Sequence, residues 1–293
     1  MRHEFRSTSG GLRVSQNARV AERLFREALL ASGLRVVTEF VVGSFASSHV
    51  PISFACDLDL RAVVESPTSS QLRKLFSRME EISQSLSAPD CMVQAGFRIG
   101  IQRAVSPLPS ILLHVIVLRE EDLASLPATH RRGYASSYRL LAGCDLLARY
   151  LTVQLTAHDV LSSPEGVRHC ATMLRSGKLD FLEWDLSDDI PQLVPRSVEM
   201  DELSRWDVAA YSSVKCTVNA ASFLGLCRDD NLNGILREGS WPELGRFLPL
   251  FQEIESCRRL RRLPEASSIT SLVSQTVELL DWLDTVISAR SAS

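Results

Sequence analysis

The chain has 293 residues, 45% of them apolar and 23% charged, and a formal net charge of −3. That balance describes a globular protein large enough for two ordinary domains, without internal repeats or low-complexity segments, and its mild acidity is not the mark of a chain built around nucleic-acid binding. No stretch is apolar for long enough to span a bilayer, and the polar start MRHEFRSTSGG lacks a signal-peptide core, so the expected setting is cytoplasmic with no membrane partner.

Residues 1–15 are polar, contain Gly10 and Gly11, and read as a loose N-terminal arm. From Asn17 to Ser32, Val20, Leu24, Ala28 and Leu29 recur at helical spacing until Gly33 stops the run. Leu34–Val42 is rich in branched residues and reads as a strand ending at Gly43 and Ser44; a second strand covers Asp57–Val64. A helix is expected over Ser69–Leu86, where basic and apolar positions alternate, then strands over Cys91–Val105 and Ser110–Leu118 with a turn at Ser106–Pro109 between them. Beyond Arg119 the periodicity is helical over Gly133–Thr156, Ser162–Ser176, Glu199–Leu226, Trp241–Leu263 and Ser267–Ala289, with an exposed loop over Asp185–Pro195. The expected fold class is α+β: a mixed β-sheet with flanking helices over 16–122, followed by an all-helical domain over 123–293.

The chemistry concentrates in VVGSFASSHVPISFACDLDL, residues 41–60. Side chains alternate faces along a strand, so Asp57 and Asp59 project from one side while Leu58 and Leu60 pack beneath the other. Two carboxylates so close repel each other unless a cation lies between them, and oxygen-only ligation favours Mg2+ or Mn2+. The strand SILLHVIVL has one ionisable residue, His114, which suits a metal ligand, a general base, or a buried ring with both nitrogens satisfied locally. Tyr211, Ser212 and Lys215 share one face of a helix. Arg258, Arg259, Arg261 and Arg262 form a local basic run beside packed leucines. Seven cysteines without paired short spacings read as reduced thiols. There is neither a Gly-x-Ser-x-Gly elbow nor a Gly-x-x-x-x-Gly-Lys loop, which argues against hydrolase and Walker-type readings.

Gly43-Ser44, a twelve-residue spacer and then Asp57-Leu58-Asp59-Leu60 resemble the core signature of the polymerase-beta-type nucleotidyltransferase superfamily. The helical half more loosely resembles the C-terminal domains of bacterial members, at Tyr138–Leu147 and Tyr211–Leu226. The resemblance implies a nucleotidyltransferase core in which the Gly43-Ser44 turn opens a helix and holds the triphosphate of an NTP. It further implies that Asp57 and Asp59 hold metal and that pyrophosphate leaves as a hydroxyl acceptor takes the nucleoside monophosphate. The NTP would lie between the sheet and the helical domain, with Lys215 neutralising phosphate charge, Ser212 donating a hydrogen bond and Tyr211 stacking on the base. Two departures stand out. His114 occupies the place of a third acid, and Ser47, Ser48 and His49 stand where relatives often have Arg-Gly. Mild acidity favours a small cationic acceptor, with RNA left open. The alternative is a catalytically impaired module that binds a nucleotide or a protein partner.

Overall fold

The computed structural model describes residues 9–46, 55–101, 110–150, 153–226, 232–237, 241–260 and 266–292. It is a mixed α+β chain. Helix α1 (Ser9–Ser32) leads into β1 (Arg35–Val42), a 3-10 turn at Gly43–Phe45, β2 (Ala55–Glu65), α2 (Ser69–Leu86), β3 (Met92–Gly96) and β4 (Ser110–Arg119). The expected arm over 1–15 is corrected where it is described, because α1 already begins at Ser9. Residues 1–8, like the turn expected at Ser106–Pro109, lie outside the described residues.

Short helices α3 (Glu120–Ser125) and α4 (Ala128–Ser136) precede β5 (Tyr138–Gly143). Then come α5 (Ala157–Leu161), α6 (Val167–Ser176), β6 (Lys178–Asp185) and β7 (Gln192–Glu199). The chain ends in α7 (Glu202–Phe223), α8 (Leu232–Arg237), α9 (Leu248–Leu260) and α10 (Ala266–Ser291). The all-helical expectation beyond residue 123 is therefore corrected. Tyr138–Gly143 is a strand inside the span expected to be helical, and β6 and β7 form a two-stranded sheet that takes in part of the expected Asp185–Pro195 loop.

The main sheet has the order β3-β4-β2-β1-β5. β2 and β3 run parallel to β4, whereas β1 is antiparallel to both β2 and β5. One face is apolar: Leu58, Leu60, Ala62 and Val64 of β2 and Ile111, Leu113, Val115 and Val117 of β4 join Phe25 and Leu29 of α1 and Leu72, Leu75 and Met79 of α2 in one core. α2 starts where Thr68 and Gln71 form a reciprocal capping box, and its buried residues recur at three- and four-residue intervals. Alternation along β2 leaves Asp57, Asp59 and Arg61 on the opposite face.

The chain divides into two compact units. One contains Met1–Ser125, Ser137–Arg149 and Leu182–Pro195; the other contains Leu126–Ser136, Tyr150–Phe181 and Arg196–Ser293. No described helix is long and apolar enough to cross a membrane. Among the described residues, Cys91, Cys144, Cys170, Cys216 and Cys257 are free thiols.

Candidate active site

Parallel pairing of β2 with β4 sets Asp59 directly beside His114. Paired residues share a face, so carboxylate and imidazole meet: His114 Nδ1 lies 2.9 Å from Asp59 Oδ1. The other ring nitrogen, Nε2, lies 2.7 Å from the Arg98 carbonyl oxygen. A carbonyl only accepts, so Nε2 carries a hydrogen and donates it to Arg98. Both nitrogens of His114 are thus engaged, which leaves neither directed at a metal; the ring instead orients Asp59.

Arg61, the next residue on the same face, completes the cluster. Its Nη2 donates to Asp59 Oδ1 at 2.8 Å, and its Nη1 donates to the carbonyls of His114 at 2.7 Å and Leu60 at 3.1 Å. The guanidinium is almost wholly buried, its side chain 4% exposed against 23% for Asp59. Burial alone would push the Asp59 carboxyl up, but the Arg61 charge and the His114 hydrogen bond outweigh it and hold the group below the usual carboxylate range. Arg61 was legible from the strand alternation that put Asp57 and Asp59 together, since an Asp-x-Asp-x-Arg run shows three inward positions.

The other Asp59 oxygen faces Gly43. A methyl group built on Gly43 would sit 3.1 Å from Asp59 Oδ2, and Gly43 has φ +75°, a conformation that side-chain-bearing residues avoid. Gly43→Ala is accordingly expected to cost about 1–2 kcal/mol in urea unfolding from the backbone alone, with further displacement of the carboxylate. The glycine N–H donates to Ser137 O at 3.0 Å and its carbonyl accepts from Ser137 Oγ at 3.2 Å, which ties the turn to the start of β5. In the described residues Gly43–Phe45 form a three-residue 3-10 helix, the rest of the expected helix lies outside the described residues, and the Gly43 N–H is already committed to Ser137. The Ser44 side chain and residues Ser47, Ser48 and His49 lie outside the described residues.

Tyr211, Ser212 and Lys215 belong to the second unit, on α7. There the Tyr211 hydroxyl donates to Glu165 Oε2 at 2.8 Å, and His130 Nε2 meets the same oxygen at 2.8 Å. Glu165 has φ +61°, rare for a side-chain-bearing residue. Burial and the Glu165 charge raise the Tyr211 hydroxyl well above its ordinary value, so it stays protonated. The Ser212 hydroxyl is enclosed, without a hydrogen-bond partner among the described residues. The Lys215 ammonium approaches Gly133 of α4 so closely that a methyl group there would lie 3.0 Å from Nζ. Glu165 and His130 carry no sequence signal, because they come from separate segments that only the tertiary fold unites. The expected base-stacking role of Tyr211 and donor role of Ser212 thus meet a hydroxyl already bound to protein and one buried in it.

Asp159 completes the capping box of α5 with Thr156, and His169 lies 3.7 Å from Asp180. The side chains of Arg258–Arg262 lie outside the described residues.

No protein-family model, curated protein or solved structure matches this chain.

Proposed function

We propose that the protein is a metal-dependent nucleotidyltransferase that moves a nucleoside monophosphate from an NTP to a hydroxyl acceptor and releases pyrophosphate. The observation that carries this reading is that Asp57 and Asp59 share one face of β2 beside the Gly43 turn, with Asp59 anchored through one oxygen and turned through the other toward the glycine. That donor set fits a hard divalent cation. Mg2+ characteristically takes one or two carboxylates and completes its shell with substrate phosphates and water, and ligating carboxylates are themselves held by hydrogen bonds. Among the described residues no group of three or more His, Cys, Asp or Glu side chains is arranged to hold a metal, so the protein's share of the shell would be Asp57 and Asp59.

Bound there, Mg2+ or Mn2+ would neutralise phosphate charge and align the α-phosphorus with the acceptor hydroxyl. The chain's own contribution is to position: Arg61 and His114 fix Asp59, and the absence of a side chain at Gly43 keeps the approach to Oδ2 open. A small cationic acceptor fits the net charge of −3 better than RNA.

The test is pyrophosphate release with label transfer from each NTP. Asp57→Asn is expected to lower turnover about a hundredfold or more, as for loss of a charge-stabilising group. Equal release from wild type and variant would overturn the assignment.

The partners of Asp59 also favour a second reading, a nucleotide-binding module without turnover, because the Arg61 charge and the His114 ring already engage the carboxylate. An NTP-with-magnesium rise in melting temperature, unaccompanied by pyrophosphate release, would select it.

A further inference from the structure

On the far side of the sheet from Asp59, α1 and α2 enclose a groove of about 470 Å³. The α1 wall is made of small residues, Ala28, Ala31 and Ser32, which leave the space open. The α2 wall carries Ser70, Arg73, Lys74, Ser77 and Arg78. These positions lie three and four apart, so they form one stripe, while Leu72, Leu75, Met79 and Ile82 turn into the core. Three cations in one groove run against the net charge of −3 of the whole chain.

Several donors there are left uncommitted. Among the described residues, nothing pairs with the Lys74 ammonium or hydrogen-bonds to the hydroxyls of Ser70 and Ser77. Arg73 donates through one terminal nitrogen to the Leu186 carbonyl, which leaves donors to spare on the fork. Arg78 pairs with Glu81, the single acid of the lining, at 2.6 Å, and both side chains are more than half exposed, so the pair is easily exchanged. Hydroxyls and cations with donors to spare are the complement of phosphate oxygens.

We propose that this groove binds single-stranded nucleic acid through its phosphate backbone. The polar stripe from Ser70 to Arg78 runs over roughly 12 Å of helix and its cations, Arg73 to Arg78, over roughly 7.5 Å at 1.5 Å per residue, an elongated array that suits successive phosphates better than one compact anion. No aromatic residue lines the groove, so nothing there stacks on a base. Recognition is therefore of the backbone and indifferent to sequence. The site is independent of the nucleotidyl-transfer reading, being read by binding alone.

Fluorescence anisotropy of the full chain with a labelled mixed-sequence oligonucleotide of about twelve nucleotides tests it, across about 50 to 200 mM salt. The doubly substituted variant K74E/R78E is expected to bind about tenfold more weakly and to show a salt slope shallower by about 1.4, since each phosphate contact on a single strand contributes about 0.7. Lys178→Glu, an exposed charge reversal in the other unit, is expected to leave binding unchanged. Both altered side chains of the double variant are exposed, and circular dichroism melts establish that it folds. Absence of wild-type binding at low salt, an equal loss in the control, or inorganic triphosphate competing as well as the strand would overturn the proposal.

Discussion

Asp59→Ala is expected to lower folding stability by about 3 kcal/mol in urea unfolding at neutral pH, a larger effect than losing the carboxylate's own packing would produce. The reason lies in what remains. Arg61 is always charged and nearly wholly buried, and it loses its carboxylate counter-charge once Oδ1 is gone. His114 loses the Oδ1 contact at Nδ1 while Nε2 stays on Arg98. Removing one partner of a buried charge pair typically costs about 3–5 kcal/mol, and the partial exposure of Asp59 lets water recover some of that, which places the estimate at the lower end. The pH dependence has a definite sign. Because the folded-state pKa is depressed, the contribution of Asp59 is fully present above its ordinary range and is lost as pH falls through the folded value. The alanine variant should lack that component. Should Asp59→Ala unfold at the same urea concentration as wild type, Arg61 and His114 do not hold the carboxylate in place, and the orientation argument behind the proposed function goes with it.

The legibility of these features follows the range of the forces behind them. α2 begins and ends where its sequence pattern does, Ser69 to Leu86, because the Thr68–Gln71 box and the spacing of Leu72, Leu75, Met79 and Ile82 are local. β1, β2 and β4 likewise match their branched, apolar runs to within two residues. β5 does not. Tyr138–Gly143 is only six residues long, and its state is decided by pairing Tyr138, Arg139 and Leu140 with Val42, Val41 and Phe40, almost a hundred positions earlier. The same holds at the candidate site. That Asp57 and Asp59 share a face follows from strand alternation. That Asp59 meets His114 follows from the β2–β4 register, which no local pattern specifies.

Glu165 presents the second large effect, and it concerns the other unit. Its carboxylate accepts from His130 and Tyr211 at 2.8 Å each, and its side chain is 11% exposed. Burial pushes the carboxyl up, yet the charge and hydrogen bond of His130 and the hydrogen bond of Tyr211 bring it down from 4.5 to about 2. At about 1.36 kcal/mol per pH unit, that depression is worth about 3 kcal/mol. The stabilisation is complete above pH 4.5 and disappears as pH falls toward about 2, where the folded state must protonate too. Glu165→Gln keeps the volume and removes the charge, so it should be about 3 kcal/mol less stable than wild type at pH 7 and should show no corresponding loss through the acid window. Glu165→Gly separates backbone from charge. It relieves the left-handed conformation, worth about 1 kcal/mol, but forfeits the same carboxylate, so a net loss of about 2 kcal/mol is expected. Urea midpoints at pH 7 and pH 3 for the three proteins measure both effects. A glutamine variant that loses as much stability on acidification as wild type would show that some other carboxylate governs the acid transition, and a glycine variant more stable than wild type would show that backbone strain outweighs the charge network.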